Sequence, residues 1–359
     1  MTQYIIRRLI AAVPVIVGVL IVTFALARAI PGDPCTAMFG EKATPAVCEK
    51  FNIDKGLDKP ITTQFWIYTQ DILRGDFGES IRFKRPITQI LIERLPITLE
   101  LGTAALVLAL LVGVPLGVIS ATRRNSPVDV LTMIGANIGV SMPVFWLGLM
   151  LAYIFALLLK DTPFQLPPSG RLSAGMEVIP FYELFGWELA EGTFFTKLLE
   201  FLGNFYIFNS LITFNWAVLA DAIKHLILPS LALGTIPMAI IARMTRSSML
   251  EVLGLDYIRT ARAKGLSRWN IVMKHAFRNA LLPIVTIAGL QLGLVFSGAI
   301  LTETIFGLSG VGRSLYEAIT ARDYPIIQGF VVVISVGYVT VNLLVDLSYG
   351  FLDPRIQLD

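Results

Sequence analysis

Six stretches of this chain run for about 20 residues with almost no charge: residues 9–30, 99–121, 131–159, 225–242, 281–301 and 326–349. A helix rises about 1.5 Å per residue, so about 20 apolar residues match a hydrocarbon core some 30 Å thick. A charged side chain at the bilayer centre costs roughly 2.5 to 3.5 kcal/mol on insertion scales, which gives a reason for keeping these runs clean. The helices of a soluble core carry no such reason. The pattern therefore predicts an all-α integral membrane protein of about six transmembrane helices, with 15% of residues charged against roughly 25% in soluble domains. The first run is longer than the apolar region of a signal peptide and ends at Arg28 and Pro31 without a small-residue cleavage site, so it reads as a retained span.

Charge placement predicts orientation, because Lys and Arg near short connections favour the cytoplasmic side. Arg7 and Arg8 precede the first span, Arg123 and Arg124 follow the second, and residues 243–278 carry eight basic against two acidic residues. Residues 31–96 instead balance nine basic with nine acidic, and residues 160–224 hold four basic against seven acidic. The former segments are expected inside and the latter outside. Both termini then lie in the cytoplasm, with Arg355 in the tail. Residues 201–220 pose the alternative of a seventh span, but Asn204, Asn209, Ser210, Thr213 and Asn215 favour an interfacial helix.

The net charge of +3, scattered along an apolar chain, excludes nucleic-acid binding through phosphate neutralisation. Neither the two histidines, His225 and His275, nor the two cysteines show the spacing of a zinc site, so no metal centre is expected. His225 reads as interfacial and His275 as part of the basic surface. Cys35 and Cys48 lie in the first outside segment, where twelve intervening residues can close a disulfide loop or leave two thiols. That segment is expected to pack as a small cap. Prolines 163, 167, 168 and 180 make the second a loop leading into aromatic interfacial helices.

Between the fourth and fifth spans the chain is long, basic and helical in pattern. Residues 249–277 contain no proline; Gly265 can turn the chain, and Ser267 can cap a helix that continues through Trp269, Ile271 and Val272. Two short helices meeting at Gly265 would form a knuckle, with Ala261 and Ala263 permitting close approach and Arg262 and Lys264 at the rim. Two readings stand on composition alone: insertion into a groove of a soluble protein, or contact with anionic lipid at about 1 kcal/mol per cation.

The stretch Asp256-Tyr257-Ile258-Arg259-Thr260-Ala261-Arg262-Ala263-Lys264-Gly265-Leu266 resembles the coupling loop of ABC importer permeases, in the form found in the dipeptide, oligopeptide and nickel permease family. Arg259 and Thr260 depart from the general Glu-Ala-Ala opening of that loop, and Leu282-Pro283 comes late, after Arg278-Asn279-Ala280. Other similar stretches, in order, are Pro31-Gly32-Asp33-Pro34, Arg74-Gly75-Asp76-Phe77-Gly78-Glu79-Ser80 and Thr98-Leu99-Glu100-Leu101. Ala242-Arg243-Met244-Thr245-Arg246-Ser247-Ser248-Met249, Glu303-Thr304-Ile305-Phe306 and Asp353-Pro354-Arg355 complete the series. Residues 160–224 are longer than the family usually has.

The resemblance implies a permease subunit of the prokaryotic inner or plasma membrane, forming half of a translocation pathway for di- or oligopeptides by alternating access. Its implied partners are a second related permease in a heterodimer, two cytoplasmic ABC ATPases and an extracytoplasmic substrate-binding protein. Nickel, glutathione or another small solute is the alternative cargo; a self-contained channel or ion-coupled carrier is the alternative of another class. The implied layout is a first helix (1–30), a cap segment (31–96), a transmembrane domain (97–351) with its insertion (160–224) and coupling loop (243–280), and a tail (352–359). The implied coupling residues are Tyr257, Arg259, Thr260, Ala261, Arg262, Ala263, Lys264, Gly265, Leu266, Ser267, Arg268 and Trp269. Asn137, Gln291, Glu303 and Asp346 are candidates to line the pathway, since polar groups within spans are functional by default; Asp346 can alternatively pair with Arg355. The chain is expected to hold no cofactor and no catalytic residue, with ATP and Mg bound by the partner ATPases. Residues 307–314 superficially resemble a P-loop, but Arg313 stands where the lysine is required and no strand precedes it.

Overall fold

The computed structural model describes residues 2–29, 34–40, 43–54, 56–190 and 192–352. The motif residues Pro31, Gly32, Asp33, Asp353, Pro354 and Arg355 lie outside them. Helices follow in the order α1 (Thr2–Ala29), α2 (Pro34–Phe39), α3 (Pro45–Asp54), α4 (Ile61–Leu73), α5 (Ile87–Thr122), α6 (Pro127–Ser141) and α7 (Val144–Ala152), the last extended by a π-helical turn over Tyr153–Leu158. Then come α8 (Phe181–Leu184), α9 (Phe194–Gly203), α10 (Tyr206–Ile212), α11 (Trp216–Leu253) and α12 (Asp256–Ala263). A π-helical turn over Asn270–Phe277 leads into α13 (Arg278–Ile305), followed by α14 (Val311–Ala321) and α15 (Tyr324–Leu352). Among the described residues there is no strand, only an isolated bridge between Glu79 and Pro86.

Among the described residues five helices are long and apolar enough to cross a membrane, and six if α6 and α7, which pass the same test together, are counted as one bent span. The span expected over residues 131–159 is thus not one continuous helix, for its two halves meet at 103°. The cause is Pro143: its ring disfavours the helical region for the preceding residue, and Met142 accordingly sits at φ −79°, ψ 128°. The seventh-span alternative also fails, because residues 201–220 are divided among two short helices and the start of α11.

The chain divides into two compact units, residues 2–94 with 314–340, and residues 95–313 with the stretch from 341 onward. In the first unit α4 lies beside α1: Phe24 packs edge-on against Phe65, Thr23 Oγ1 meets Tyr68 Oη at 3.1 Å, and the Arg28 guanidinium stacks on Phe24 and donates to Gln64 Oε1. Cys35 and Cys48 are joined as a disulfide that ties α2 to α3. The fully buried Asp323 precedes α15 and accepts from Ser80 Oγ at 2.6 Å and Arg82 N at 2.9 Å, clasping the turn over residues 78–86.

In the second unit, α11 is the axis. It approaches α5 at backbone distance because Gly113 and Gly117 face it: a Cβ on Gly117 would lie 2.5 Å from Thr245 Cβ and 2.6 Å from the Ala242 carbonyl. Small residues four apart allow this close packing in membranes, where dispersion and not the hydrophobic effect holds helices together. Leu101, Ala105, Leu228, Leu233, Ala299 and Phe306 form one apolar core there. Residues 160–224 are fastened to the same body. Arg171 Nη2 donates to Glu100 Oε2 at 2.9 Å and to the Asn204 carbonyl at 2.8 Å, its guanidinium stacks 3.4 Å over the Tyr206 ring, and Glu100 Oε1 accepts from Ile207 N at 2.7 Å. His225, read from sequence as interfacial, is buried beside this cluster with Nδ1 2.9 Å from the Asp221 carbonyl.

Candidate functional site

Residues 253–280 build a knuckle whose inner side is apolar and whose outer side is exposed. Ile258 and Ala261 are buried with Ala121, Met249, Val252, Ile271, Ala276, Ala280 and Ile284, which makes a second apolar core beneath the turn. Every residue from 262 to 270 is exposed. Ala261 thus packs inward, and of the two small residues only Ala263 is free for close approach from outside. The apolar side chains Leu255, Tyr257, Leu266 and Trp269 stand exposed on this surface, Trp269 at 72%, interleaved with Arg259, Arg262, Lys264 and Arg268.

Gly265 sets the turn. Its φ of +73° is the left-handed conformation that L side chains avoid, and no atom would obstruct a Cβ there, so the requirement is backbone geometry and not space. Leu266 N donates to the Ala261 carbonyl and Gly265 N to the Arg262 carbonyl, the paired bonds of a Schellman ending. Ser267 Oγ accepts from Asn270 N at 3.4 Å, and the helix restarts without a proline. Tyr257 Oη donates to the His275 carbonyl at 3.1 Å and accepts from Asn279 Nδ2 at 2.7 Å, while Arg268 Nη2 donates to the Thr122 carbonyl at 3.0 Å. The two arms of the knuckle are therefore tied to each other and to the end of α5.

An ion pair between a buried carboxylate and a half-buried guanidinium braces this base. Asp129, in the first turn of α6 and ahead of its apolar run, is 3% exposed and accepts from Arg246 Nε at 2.7 Å, Arg246 Nη2 at 2.8 Å and Asn125 N at 2.9 Å, as well as from Ser120 Oγ. One carboxylate thereby joins α5, α6 and α11. Sequence reasoning missed this group, although Asp129 directly precedes an apolar run and Arg246 sits in a quoted motif.

The four candidate pathway residues are not brought together. Glu303 is fully buried, accepting from Thr98 Oγ1 at 2.6 Å and Arg313 N at 2.8 Å. Residues 307–312 wrap this carboxylate so closely that a Cβ on Gly310 would lie 2.4 Å from it. The turn is thus closed on a carboxylate of the chain itself, with Arg313 N as a donor. Gln291 is buried and Asp346 half-buried. Asn137 alone is exposed on an open groove, about 600 Å³, at the break between α6 and α7.

Fold and site together define a multi-pass helical membrane protein presenting an exposed, basic, aromatic-tipped turn on a braced base. A family model described as binding-protein-dependent transport system inner membrane component matches residues 113–358, and the N-terminal model of the same systems matches residues 1–102. The chain is 43% identical to the dipeptide transport system permease protein of Alkalihalophilus pseudofirmus, over 99% of this chain and 100% of that one. It is 43% identical to the dipeptide transport system permease protein of Escherichia coli strain K12 over 99% of each chain, and 40% identical to the di/tripeptide transport system permease protein of Pseudomonas aeruginosa over 99% of each. The chain belongs to the family of inner-membrane components of binding-protein-dependent transport systems. It is a permease component, a multi-pass protein of the inner membrane.

Proposed function

We propose that this chain forms one half of the translocation pathway of an ATP-driven importer of short peptides, with the knuckle around Gly265 as its contact to a cytoplasmic ATPase. The observation that carries the reading is the knuckle: exposed Leu255, Tyr257, Leu266 and Trp269 among four cations, on a base held by its own apolar core and by the Asp129–Arg246 pair. A loop that merely lay on lipid would need neither the braced base nor the fixed left-handed turn. Peptide cargo is supported by the whole-length similarity to permeases named for dipeptide and di/tripeptide transport.

In this scheme a second, related permease completes the pathway, two ATPases lie below and a substrate-binding protein delivers cargo from outside. ATP and Mg belong to the ATPases; the Gly-rich turn at residues 307–312 is spent on Glu303. Closure of the ATPases moves the knuckle, and its tie through Arg268 to Thr122 passes the displacement to α5. A ligand shifts such an equilibrium only by its differential affinity for the two states, so the energy must cross this small contact. Labelling tests the arrangement. A Ser267→Cys variant is expected to resist a membrane-impermeant maleimide on intact cells, to react in inverted vesicles, and to be protected there by the bound ATPases. Labelling from outside intact cells would overturn the orientation, and absence of ATP-dependent dipeptide uptake by the reconstituted complex would overturn the cargo.

A further inference from the structure

We propose that the break between α6 and α7 is a transit site for the peptide backbone of the cargo, formed by Asn137, Ser141, the extended backbone at Met142 and Pro143, and the walls of Phe145 and Trp146. This rests on the reading of the chain as a peptide permease and adds to it a place in the pathway.

The interruption of the helix is the first argument. The break falls between two helices, Pro127–Ser141 and Val144–Leu158, that together are apolar enough to cross a membrane and meet at 103°. Hydrocarbon supplies no hydrogen bonds, so non-helical backbone within such a pair persists only where protein buries it or a water-filled cavity receives it. Here Ser141 and Pro143 are exposed, and no side chain caps the start of α7. Lipid cannot cover this surface without leaving polar backbone unsatisfied.

The chemistry of the groove is the second. It holds about 600 Å³, within the roughly 300 to 1,000 Å³ of small-molecule sites. Its lining is Ile134, Asn137, Ile138, Ser141, Met142, Pro143, Phe145 and Trp146, with no ionisable group. The Asn137 carboxamide offers one acceptor and two donors, which match the C=O and N–H of a peptide bond. Ser141 donates its hydroxyl to the Asn137 carbonyl at 2.8 Å, which fixes it at the lip of the groove. Phe145 and Trp146 present apolar faces that demand no particular hydrogen-bonding group of a side chain. A site that matches the shared amide and ignores the side chain suits cargo that varies in sequence, and the absence of a counter-charge keeps binding weak enough for release.

Both cysteines of the chain are joined in the disulfide, so an engineered cysteine is its only thiol. The test uses the complete complex in proteoliposomes, with ATPases and binding protein, carrying Ser141→Cys or, independently, Asn137→Cys. The probe is a dipeptide whose cysteine is activated as a thiopyridyl disulfide; attack by the engineered thiolate forms a mixed disulfide and releases pyridine thione. ATP-dependent labelling at position 141 or 137, reduced at least fivefold by excess dialanine, is expected. No labelling at either position while the same complexes carry the probe into the vesicles would overturn the site. Reaction with a membrane-partitioned maleimide but not a water-soluble one would also overturn it, since the face would then meet lipid. Resistance to both maleimides would do the same, the face being sealed by protein. Failure of the unmodified complex to import any dipeptide is a separate result, which strikes the peptide reading itself.

Discussion

Replacing Asp129 with asparagine perturbs the base of the knuckle while preserving its shape. The buried carboxylate takes two bonds from Arg246, one from Asn125 N and one from Ser120. An amide keeps one acceptor oxygen and turns the other into a donor, so at least one native donor then faces another donor. Arg246 also loses its counter-charge. Removing one partner of a buried pair costs roughly 3 to 5 kcal/mol. The Arg246 side chain keeps 26% of its exposure and can recover water, which places the cost at the lower end, about 3 kcal/mol or some 150-fold in the folded ratio. The assay is equilibrium unfolding in mixed micelles, run as a cycle with Arg246→Met. Asp129→Asn alone is expected to be less stable than the double variant, with a coupling energy of about 2 kcal/mol. A coupling energy below about 0.5 kcal/mol would refute the brace, because sites that do not interact add within that margin.

Two further outcomes are expected. Gly265→Val forces a β-branched residue into a left-handed turn at about 1 to 2 kcal/mol, and should lower transport at least tenfold while the ATPases still hydrolyse ATP; unchanged uptake and unchanged cargo-stimulated hydrolysis in vesicles would contradict this. Gly117→Ala should cost about 1 to 3 kcal/mol by pressing a Cβ into Thr245 and the Ala242 carbonyl, seen as a lower midpoint in the same micelle unfolding.

The spans were legible because each is a local property of about 20 residues: the runs at 99–121, 225–242 and 281–301 fall inside α5, α11 and α13. The turn at Gly265 and the cap at Ser267 were legible for the same reason, since a left-handed glycine and a short hydroxyl side chain act on their immediate neighbours. The break at Met142 was within reach as well, for Pro143 stood in the run and its steric effect needs no tertiary partner.

Contacts between distant positions were beyond sequence. Asp129 and Arg246 are 117 residues apart, and Thr98 and Glu303 are 205 apart. No local rule selects those partners among 29 basic and 26 acidic residues. Glu303 shows the difference most plainly: a carboxylate near the end of an apolar run reads as a pathway group, yet the folded chain wraps residues 307–312 around it and satisfies it internally. What hydropathy and backbone sterics dictate over a few turns, the sequence determined alone. Which buried polar groups are enclosed, and which face a groove as Asn137 does, was decided by packing, because a buried donor or acceptor must find a partner wherever in the chain that partner lies.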